Sequence, residues 1–280
     1  MAPSYMGIKV KRFFILIFMA LLVFLALVPM YIMIINATRS TPEINSGLSL
    51  LPSTHLIDNW YFLTRFEVPI FRGFLNSAFI AISTTVLGVY FTAMTAYGLH
   101  TYQFKGRRAI WVIILVVMML PSSLSFIGFY QFMSKLKLLD NYIPLIIPAI
   151  AGASTVLFIR QYMSSSLSLD LIDAARIDGA GEFHIYNTII LPIIKPALAS
   201  QAIFTFVGSW NNFFAPFIIL TSMKNYTLPM FVQLLRGYVY RTELGAIYLG
   251  IAVSIVPIMT FYAFMSRYII SGITMGSIKE

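Results

Sequence analysis

Six long stretches of the chain contain no Asp, Glu, Lys or Arg residue. Five of them have 22 to 25 residues, and a helix needs about 20 apolar residues to cross a hydrocarbon core of about 30 Å. The pattern predicts an all-α polytopic membrane protein with six transmembrane helices in a single domain of residues 1–280. The predicted spans are Phe13–Ile35, Gly73–Tyr97, Ala109–Met133, Ile143–Ile159, Ala197–Leu220 and Gly245–Ser266.

The first and fourth stretches need separate interpretation. The apolar run of the first is longer than the core of about 7 to 15 residues in a cleaved signal peptide, and no small-residue cleavage site follows it. We therefore expect it to remain in the mature protein. The fourth has 17 residues and contains Pro144 and Pro148, which makes it the weakest of the six candidates.

The composition excludes several classes of function. Hydrophobic residues make up 59% of the 280 residues and charged residues only 10%, against about 25% charged residues in a soluble domain. The absence of Cys excludes disulfides, thiolate metal sites and thiol nucleophiles. His55, His100 and His184 are far apart in the sequence, and no predicted span contains a carboxylate. We expect neither a metal site nor a catalytic residue.

Clusters of basic residues predict the orientation of the chain. Lys and Arg are enriched in short cytoplasmic loops, and one cluster precedes the first span while another separates the second from the third. Both termini are therefore predicted to be cytoplasmic, in a bacterial cytoplasmic membrane, and residues 160–196 form one large cytoplasmic loop. The same rule accounts for the net charge of +9, which could otherwise indicate a nucleic-acid partner. The clusters are Lys9, Lys11 and Arg12, and Lys105, Arg107 and Arg108.

The 160–196 loop is predicted to form a helix-turn-helix. Ser168 or Asp170 can cap a first helix, and Asp178-Gly179 supplies residues that tolerate the left-handed conformation at its end. A second short helix is expected through Phe183 and Tyr186. The residues predicted to share one face of the first helix are Leu167, Leu171, Ala174 and Ala175.

Two interpretations of this helix-turn-helix are open. An amphipathic helix can rest on the lipid surface, but an anionic inner leaflet repels acidic segments. Four of the ten acidic residues of the chain fall within 13 positions of this loop, between Asp170 and Glu182. Another protein can approach the backbone closely at the small residues Ala174, Ala175, Gly179, Ala180 and Gly181. The charge and the small residues favour docking to a protein partner.

The sequence of this loop resembles a known motif. Asp173-Ala174-Ala175, Asp178-Gly179-Ala180 and then Leu191-Pro192 are similar to the EAA loop of binding-protein-dependent ABC importer permeases. Asp173 stands where Glu is usual, which keeps the charge. The Gly208–Phe213 segment and the Gly272–Lys279 tail are similar to the carbohydrate-importer branch, which contains the smaller permease of the maltose transporter.

The resemblance implies a type I ABC importer permease with a cytoplasmic coupling loop. It implies a second permease subunit, commonly non-identical, two cytoplasmic ATPase subunits that each take one EAA loop, and an extracytoplasmic binding protein. ATP would be bound by the ATPases, since this chain has no phosphate-binding loop of the G-x-x-x-x-G-K-[ST] type. The spans also carry no titratable group for ion coupling, so the chain is either a passive pore or takes its energy from a partner.

Neutral polar residues in the spans are candidates for the substrate path. Amides and aromatic faces can recognise an uncharged sugar, although such residues also hold membrane helices together at about 1 kcal/mol per contact. A permease of the same family for a phosphorylated polyol, a passive pore and a membrane enzyme are alternatives. For a phosphorylated substrate, the cations nearest the outer mouth are Arg65, Arg72, Arg236 and Arg241. The path candidates are Asn76, Gln201, Thr205, Trp210, Asn211 and Asn212.

Overall fold

The computed structural model describes residues 5–65, 70–120, 126–237 and 243–276, and those described residues contain no β-strand. The end of the tail motif, from residue 277, and Arg241 lie outside them. In chain order the α-helices are α1 Tyr5–Asn36, α2 Thr41–Asn45, α3 Leu56–Arg65, α4 Ile70–Thr101, α5 Arg107–Met119, α6 Phe126–Lys135, α7 Ile143–Ile146, α8 Ala153–Ser166, α9 Leu169–Ile177, α10 Glu182–His184, α11 Leu191–Ile193, α12 Lys195–Trp210, α13 Phe214–Ile219, α14 Leu228–Arg236 and α15 Leu244–Gly276. Ile147–Ala151 and Met223–Asn225 form 3₁₀ turns, and Ile185–Ile190 is a π-helix.

Several of these helices are long and apolar enough to cross a membrane. Four such segments occur in the described residues, and a bent pair, Glu182–Ile193 followed by Lys195–Trp210, makes a fifth if it counts as one span. The all-helical, multi-pass architecture is confirmed, whereas the number of six spans stays a prediction. The four segments are Lys11–Asn36, Ile70–Thr101, Ile143–Ser166 and Leu244–Tyr268.

Three predicted spans are not continuous α-helices. Ile143–Ile159 consists of α7, a 3₁₀ turn and the start of α8, with Gly152 extended between the last two. The described part of Ala109–Met133 is divided between α5 and α6, and Ala197–Leu220 is divided between α12 and α13. After α12 ends at Trp210, the Asn212 side chain accepts a hydrogen bond from the Ala215 N–H at 3.2 Å, which begins the next helix. The prolines of the fourth stretch lie at helix starts, where a missing N–H costs little.

The described helices form two compact units, of which the first contains the residues up to Ile70 and Val232–Ile255. Its centre is a close approach of α15 to the turn after α1. The Asn59 amide donates hydrogen bonds to the carbonyl oxygens of Ala37 and Arg39 at 2.9 and 3.0 Å. A Cβ at Gly245 would overlap the Arg39 carbonyl and the Asn59 amide. Glycine is therefore required at position 245 for this packing.

The greater part of α1 packs against nothing in its own unit. Every side chain from Lys11 to Leu27 is exposed, although this part of the helix is almost wholly apolar. In water such a surface would be costly. In a bilayer the lipid tails are as apolar as these side chains, so the exposure is compatible with a membrane span.

The second unit contains Phe71–Phe231 and the described residues from Val256 onward. Its larger core joins the C-terminal half of α4 to α8 and to the segment from α9 to Ile194. Ile159, Met163, Ile172, Ile185, Ile190 and Ile194 are fully buried there. The 160–196 loop is thus part of the packed core of this unit.

Asp140 organises the link between α13 and α14 in the same unit. Its carboxylate accepts hydrogen bonds from the Thr221 N–H at 3.0 Å, from the Ser222 N–H at 2.9 Å and from the Ser222 hydroxyl at 2.5 Å. Partial burial raises the pKa of the Asp140 carboxyl, but these donated hydrogen bonds outweigh it and hold the pKa well below its ordinary value. The carboxylate therefore fixes the course of the link.

Candidate functional site

The first helix of the 160–196 loop has both of its ends satisfied by local hydrogen bonds. The Ser168 hydroxyl accepts from the Asp170 N–H at 3.2 Å and caps the start of α9. At the other end, the Ala180 N–H donates to the Ala175 carbonyl and the Gly179 N–H to the Arg176 carbonyl, both at 3.0 Å. This is a Schellman arrangement, which needs a left-handed residue after the helix. Gly179 supplies it with a φ of +81°.

The predicted face of α9 is only partly buried. Ile172 and Ala175 are buried, and Leu167 is buried just before the helix. Leu171 and Ala174, which the pattern places on one face with Ala175, are exposed. The loop leaves α8 with Leu167 already in the core, and this sets the rotation of α9 so that Ile172, five residues later, points inward.

Two large apolar side chains of the loop point away from its own core. Ile177 has 87% of its surface exposed and Phe183 has 69%. Beside them, Asp178 and Gly179 are exposed, and a Cβ added at Gly179 would meet no atom of this chain within 4 Å. Isolated exposed apolar residues are common, but these two lie on either side of the Gly179 turn in the sequence.

An ion network ties the two helical arms of the loop together. The Arg176 guanidinium donates to the Asp173 carboxylate at 2.9 Å and to the Glu182 carboxylate at 2.7 Å. The second Glu182 oxygen accepts from the Tyr97 hydroxyl at 3.2 Å and from the Tyr102 hydroxyl. The Arg176 and Tyr102 donors lower the pKa of the Glu182 carboxyl, and Glu182 in turn raises the pKa of Arg176.

Aromatic rings attach the second arm to α4. Tyr186 is buried and donates its hydroxyl hydrogen to the Tyr90 carbonyl at 2.7 Å. Tyr90 donates its own hydroxyl hydrogen to the Asn187 side chain at 3.1 Å. The Tyr186 ring lies 5.5 Å from the Tyr90 ring and 5.7 Å from the Tyr97 ring, a distance at which aromatic pairs attract. The loop is therefore held by side chains of α4 along its length.

The second arm leads directly into α12. Its helical segment Glu182–Ile193 meets Lys195–Trp210 at an angle of 82°. Ile194 at the bend is fully buried. Leu191 is half-buried against the core and Pro192 is exposed. Pro196 lies in the first turn of α12, where a missing N–H costs little.

The path candidates do not form one cluster. Trp210 is buried, with its ring 5.4 Å from Phe74 in an edge-to-face contact and 5.7 Å from Phe206 in a stacked one. Asn76 donates its amide hydrogens to the Lys224 carbonyl at 3.0 Å and the Tyr226 carbonyl at 2.9 Å. These contacts make Trp210 a packing residue and Asn76 an anchor of the α13–α14 link.

The remaining path candidates lie along α12 and at its end. Gln201 is buried and lines a groove of about 580 Å³ together with Gln161 and Phe204. Thr205 is half-buried one turn further along. Asn211 and Asn212 are exposed at the end of α12, and Asn212 caps the following helix.

The arginines expected at the outer mouth have other contacts. Arg72 donates to the Lys224 carbonyl at 3.0 Å, and the Arg65 guanidinium lies 4.0 Å above the Tyr61 ring. Arg236 is exposed, and Arg241 falls outside the described residues. Across the part of the chain that the structure describes, no group of three His, Asp or Glu residues is arranged to hold a metal ion.

The sequence of this chain matches a model of a known protein family. The model for binding-protein-dependent transport system inner membrane components covers residues 101–275, which is more than half of the chain and includes the whole 160–196 loop. The chain belongs to this family. It is therefore a multi-pass membrane component of a transport system and a permease subunit, not an enzyme.

Individual relatives of this family member span its whole length. The arabinooligosaccharides transport system permease protein AraQ of Halalkalibacterium halodurans is 35% identical and covers 93% of this chain and 94% of its own. The lactose transport system permease protein LacG of Rhizobium radiobacter is 29% identical over the same shares. A crystal structure of a bacterial ABC transporter involved in the import of the acidic polysaccharide alginate contains a chain that matches with a TM-score of 0.80 at 23% identity, covering 93% of this chain and 98% of that one. That likeness shows the fold of an ABC importer permease.

Sequence reasoning did not find the contacts that hold the loop in place. Tyr90, Tyr97 and Tyr102 were not candidates, because nothing in a linear pattern pairs them with Glu182, which is 85 residues from Tyr97. The exposure of Ile177 was also missed. The sequence did contain a signal for this exposure. Ile177 directly precedes Asp178-Gly179 at the end of a helix, where an apolar side chain has few residues of the loop to pack against.

Proposed function

We propose that this chain is the permease subunit of an ATP-driven importer for an oligosaccharide, and that its 160–196 loop docks on a cytoplasmic ATPase subunit. The sugar class is supported by relatives whose names specify arabinooligosaccharides and lactose. On this proposal both termini are cytoplasmic, six spans cross the membrane, and residues 1–280 act as a single permease domain.

The observation that carries the docking proposal is the contrast between the two sides of the loop. Its inner side is fixed to α4 by Tyr97, Tyr102 and Tyr186, whereas its outer edge exposes Ile177 and Phe183 around the Gly179 turn. Apolar side chains on an otherwise acidic cytoplasmic segment are suited to insertion into a groove of a partner protein. Asp173, Ala174, Asp178 and Pro192 are exposed as well, and the proposed docking site includes them.

Force applied at the docked edge would reach the spans through buried groups. Ala175, Ala180 and Leu191 pack against the core and join the turn to α12. In the proposed complex two permease subunits, a non-identical pair, each engage one ATPase subunit, and a binding protein delivers the substrate from outside. Closure of the ATPases on ATP would bring the two docked loops together and open the path outward, and hydrolysis would reset it.

The substrate path is assigned to the polar face of α12. Gln201 and Thr205 lie on that helix, and the groove beside Gln201 combines two amides with aromatic Phe204 and Phe158. Amides beside aromatic faces suit an uncharged, hydroxyl-rich ligand. Asn211 and Asn212 follow at the exposed end of α12, whereas Trp210 supports this helix from inside the core.

The experiment that tests docking is the substitution Gly179→Leu, with Gly181→Leu as its matched control. Both glycines are exposed and have open space around them, but only Gly179 has a positive φ, while that of Gly181 is −71°. A side chain at Gly179 adds a local backbone cost of about 1 kcal/mol and projects into the docking surface. We expect normal amounts of permease in the membrane, loss of the ATPase on purification and loss of uptake.

Two outcomes would contradict the proposal. Retention of the ATPase with normal uptake in Gly179→Leu would show that the turn takes no part in docking. Loss of the permease itself from the membrane would assign Gly179 to folding. The Gly181→Leu variant reports how far bulk alone, without backbone strain, disturbs the same surface.

A further inference from the structure

The second unit contains another groove, which is separate from the Gln201 groove and is mainly apolar. It has a volume of about 450 Å³ and is bounded by α4, α12 and α15, with Val86, Ala202 and Phe261 on its three walls. Along α12 it runs from Lys195 to Ala202, which is about 10 Å of helix. Its lining is almost wholly apolar apart from the end that contains Lys195 and Tyr268.

Two cations stand at that polar end. The Lys195 ammonium lies 4.3 Å from the centre of the Tyr268 ring, and Arg267 donates a hydrogen bond to the Tyr268 hydroxyl at 2.9 Å. Neither cation forms an ion pair with a carboxylate in the described part of the chain. Lys195 begins α12, and Arg267 directly follows the charge-free run Gly245–Ser266 of α15, so both cations lie at the membrane boundary of their helices.

We infer that this groove binds an anionic phospholipid, with one acyl chain along the apolar walls and the phosphate group between Lys195 and Arg267. Basic residues at the mouth of an apolar groove between spans are the chemistry that recognises acidic headgroups. A tyrosine at the same level fits the headgroup region, where amphipathic rings are enriched. A helix of a partner subunit would fill the apolar walls but would leave both cations without a counter-ion.

The position of the groove connects the lipid to the 160–196 loop. Leu191 and Tyr90 both line it, and Tyr90 also binds Tyr186 and Asn187 of the loop's second arm. A lipid seated there would support the attachment of the loop to α4. This consequence rests on the proposed coupling function, whereas lipid binding itself does not.

Binding is tested on the complete transporter complex by native mass spectrometry, with phosphatidylglycerol titrated against phosphatidylcholine. We expect retained phosphatidylglycerol in the wild type and a drop in its affinity of about 25-fold in Lys195→Gln/Arg267→Gln, since each cation near the headgroups contributes about fivefold. The control Lys135→Gln/Lys137→Gln removes the same charge from exposed residues away from the groove and should retain the lipid. Equal retention in the Lys195/Arg267 variant and the wild type, or equal affinity for both lipids, would overturn the inference.

The occupant of the apolar walls is tested separately. The chain has no Cys, so Ala202→Cys accepts a photoreactive benzophenone maleimide at one place in this subunit. We expect light to attach phosphatidylglycerol, detected as a mass increase of the permease band. Attachment of the partner permease polypeptide instead would mean that a protein helix fills the groove.

A final measurement separates lipid binding from coupling. In liposomes with and without phosphatidylglycerol, we expect the anionic lipid to raise binding-protein-stimulated ATPase activity in the wild type and not in Lys195→Gln/Arg267→Gln. Lipid retention without any effect on this activity would overturn the link to the loop. Failure of the docking proposal itself would appear in Gly179→Leu, whose groove is intact, and the two failures are thus distinguishable.

Discussion

The two ends of α4 each hold a loop, and they do so by different chemistry. Near its start, the Asn76 and Ser77 side chains form hydrogen bonds with main-chain groups at the α13–α14 link. The Asp140 carboxylate also accepts hydrogen bonds from the main chain of this link. About 20–30 Å further along the helix, Tyr97 and Tyr90 hold the 160–196 loop through the side chains of Glu182, Tyr186 and Asn187.

This difference indicates what each loop must do. A link fixed through its own backbone keeps its path when its exposed side chains change, because main-chain groups are present in every residue. A loop fixed through particular side chains depends on their identity, and its two arms are joined into one piece. The first arrangement suits a rigid support, and the second suits a part that transmits movement.

The largest expected effect concerns the sides of the membrane on which the two loops lie. In intact cells an impermeant thiol reagent should label Lys224→Cys fully and Ser166→Cys not at all, since both residues are exposed and the basic clusters place them on opposite sides. The native chain has no Cys to give background. Labelling of Ser166→Cys from outside would show that the orientation is the reverse of the predicted one. The comparison of the two loops would then have no basis.

The next effect is on transport. Glu182→Ala removes the shared acceptor of Arg176, Tyr97 and Tyr102, and hydrogen bonds to a charged group contribute about 1.5–3 kcal/mol. We expect uptake to fall by at least about tenfold, with permease still present in the membrane. Asp170→Ala, an exposed acidic residue of the same loop, is the control and should transport normally. Equal transport by both variants would mean that the network does not matter for coupling.

A smaller effect is expected at the other end of α4. Asp140→Asn keeps the shape of the side chain but weakens the hydrogen bonds from Thr221 and Ser222, so we expect a loss of stability of about 1.5–3 kcal/mol with uptake reduced only slightly. Thermal unfolding of the purified complex measures the first quantity and vesicle uptake the second. The exposed Asp58→Asn serves as the reference substitution. A transport defect as large as that of Glu182→Ala would erase the distinction between the two loops.

The smallest effect is expected when the pH is lowered moderately and the stability contributed by Asp140 at the α13–α14 link is measured. The pKa of the Asp140 carboxyl is below its ordinary value of 3.8. Its contribution to stability is therefore complete above that value and is lost only as the pH falls through the lower, folded pKa. The stability difference between wild type and Asp140→Asn should stay constant from pH 7 to about pH 5. A difference that shrinks already within this interval would show that the carboxylate is not held as described.

The parts of this structure that the sequence predicted are those set by local pattern. The long stretches without charged residues predicted the apolar helices α1, α4 and α15. The capping residues Ser168 and Gly179 correctly predicted the two ends of α9. The breaks in the third and fifth predicted spans were missed, because an uncharged stretch has the same hydropathy whether or not its helix is interrupted.

The features that local pattern did not predict have a common physical cause. Trp210 and Asn76 are candidates for the substrate path because their residue types suit sugar recognition, and contacts with residues distant in the sequence also use the Trp210 ring and the Asn76 amide. The entry of Leu167 into the core fixes the rotation of α9, which buries Ile172 and leaves Leu171 exposed. Such contacts join residues that are far apart in the chain, and the periodicity of a local sequence segment does not predict them.

The right-angle bend at Ile194 has a mechanical consequence for the two helical arms it joins. The arm Glu182–Ile193 is about 18 Å long and the arm Lys195–Trp210 about 24 Å. Two stiff helical arms that meet at 82° at the buried Ile194 act as an angled lever. A sideways pull on the shorter arm would tilt the longer one. By the ratio of arm lengths, the far end of α12 travels about 1.3 times as far as the tip that is pulled. By the inverse of the same ratio, a force applied at Glu182 would arrive at Trp210 at about three quarters of its size.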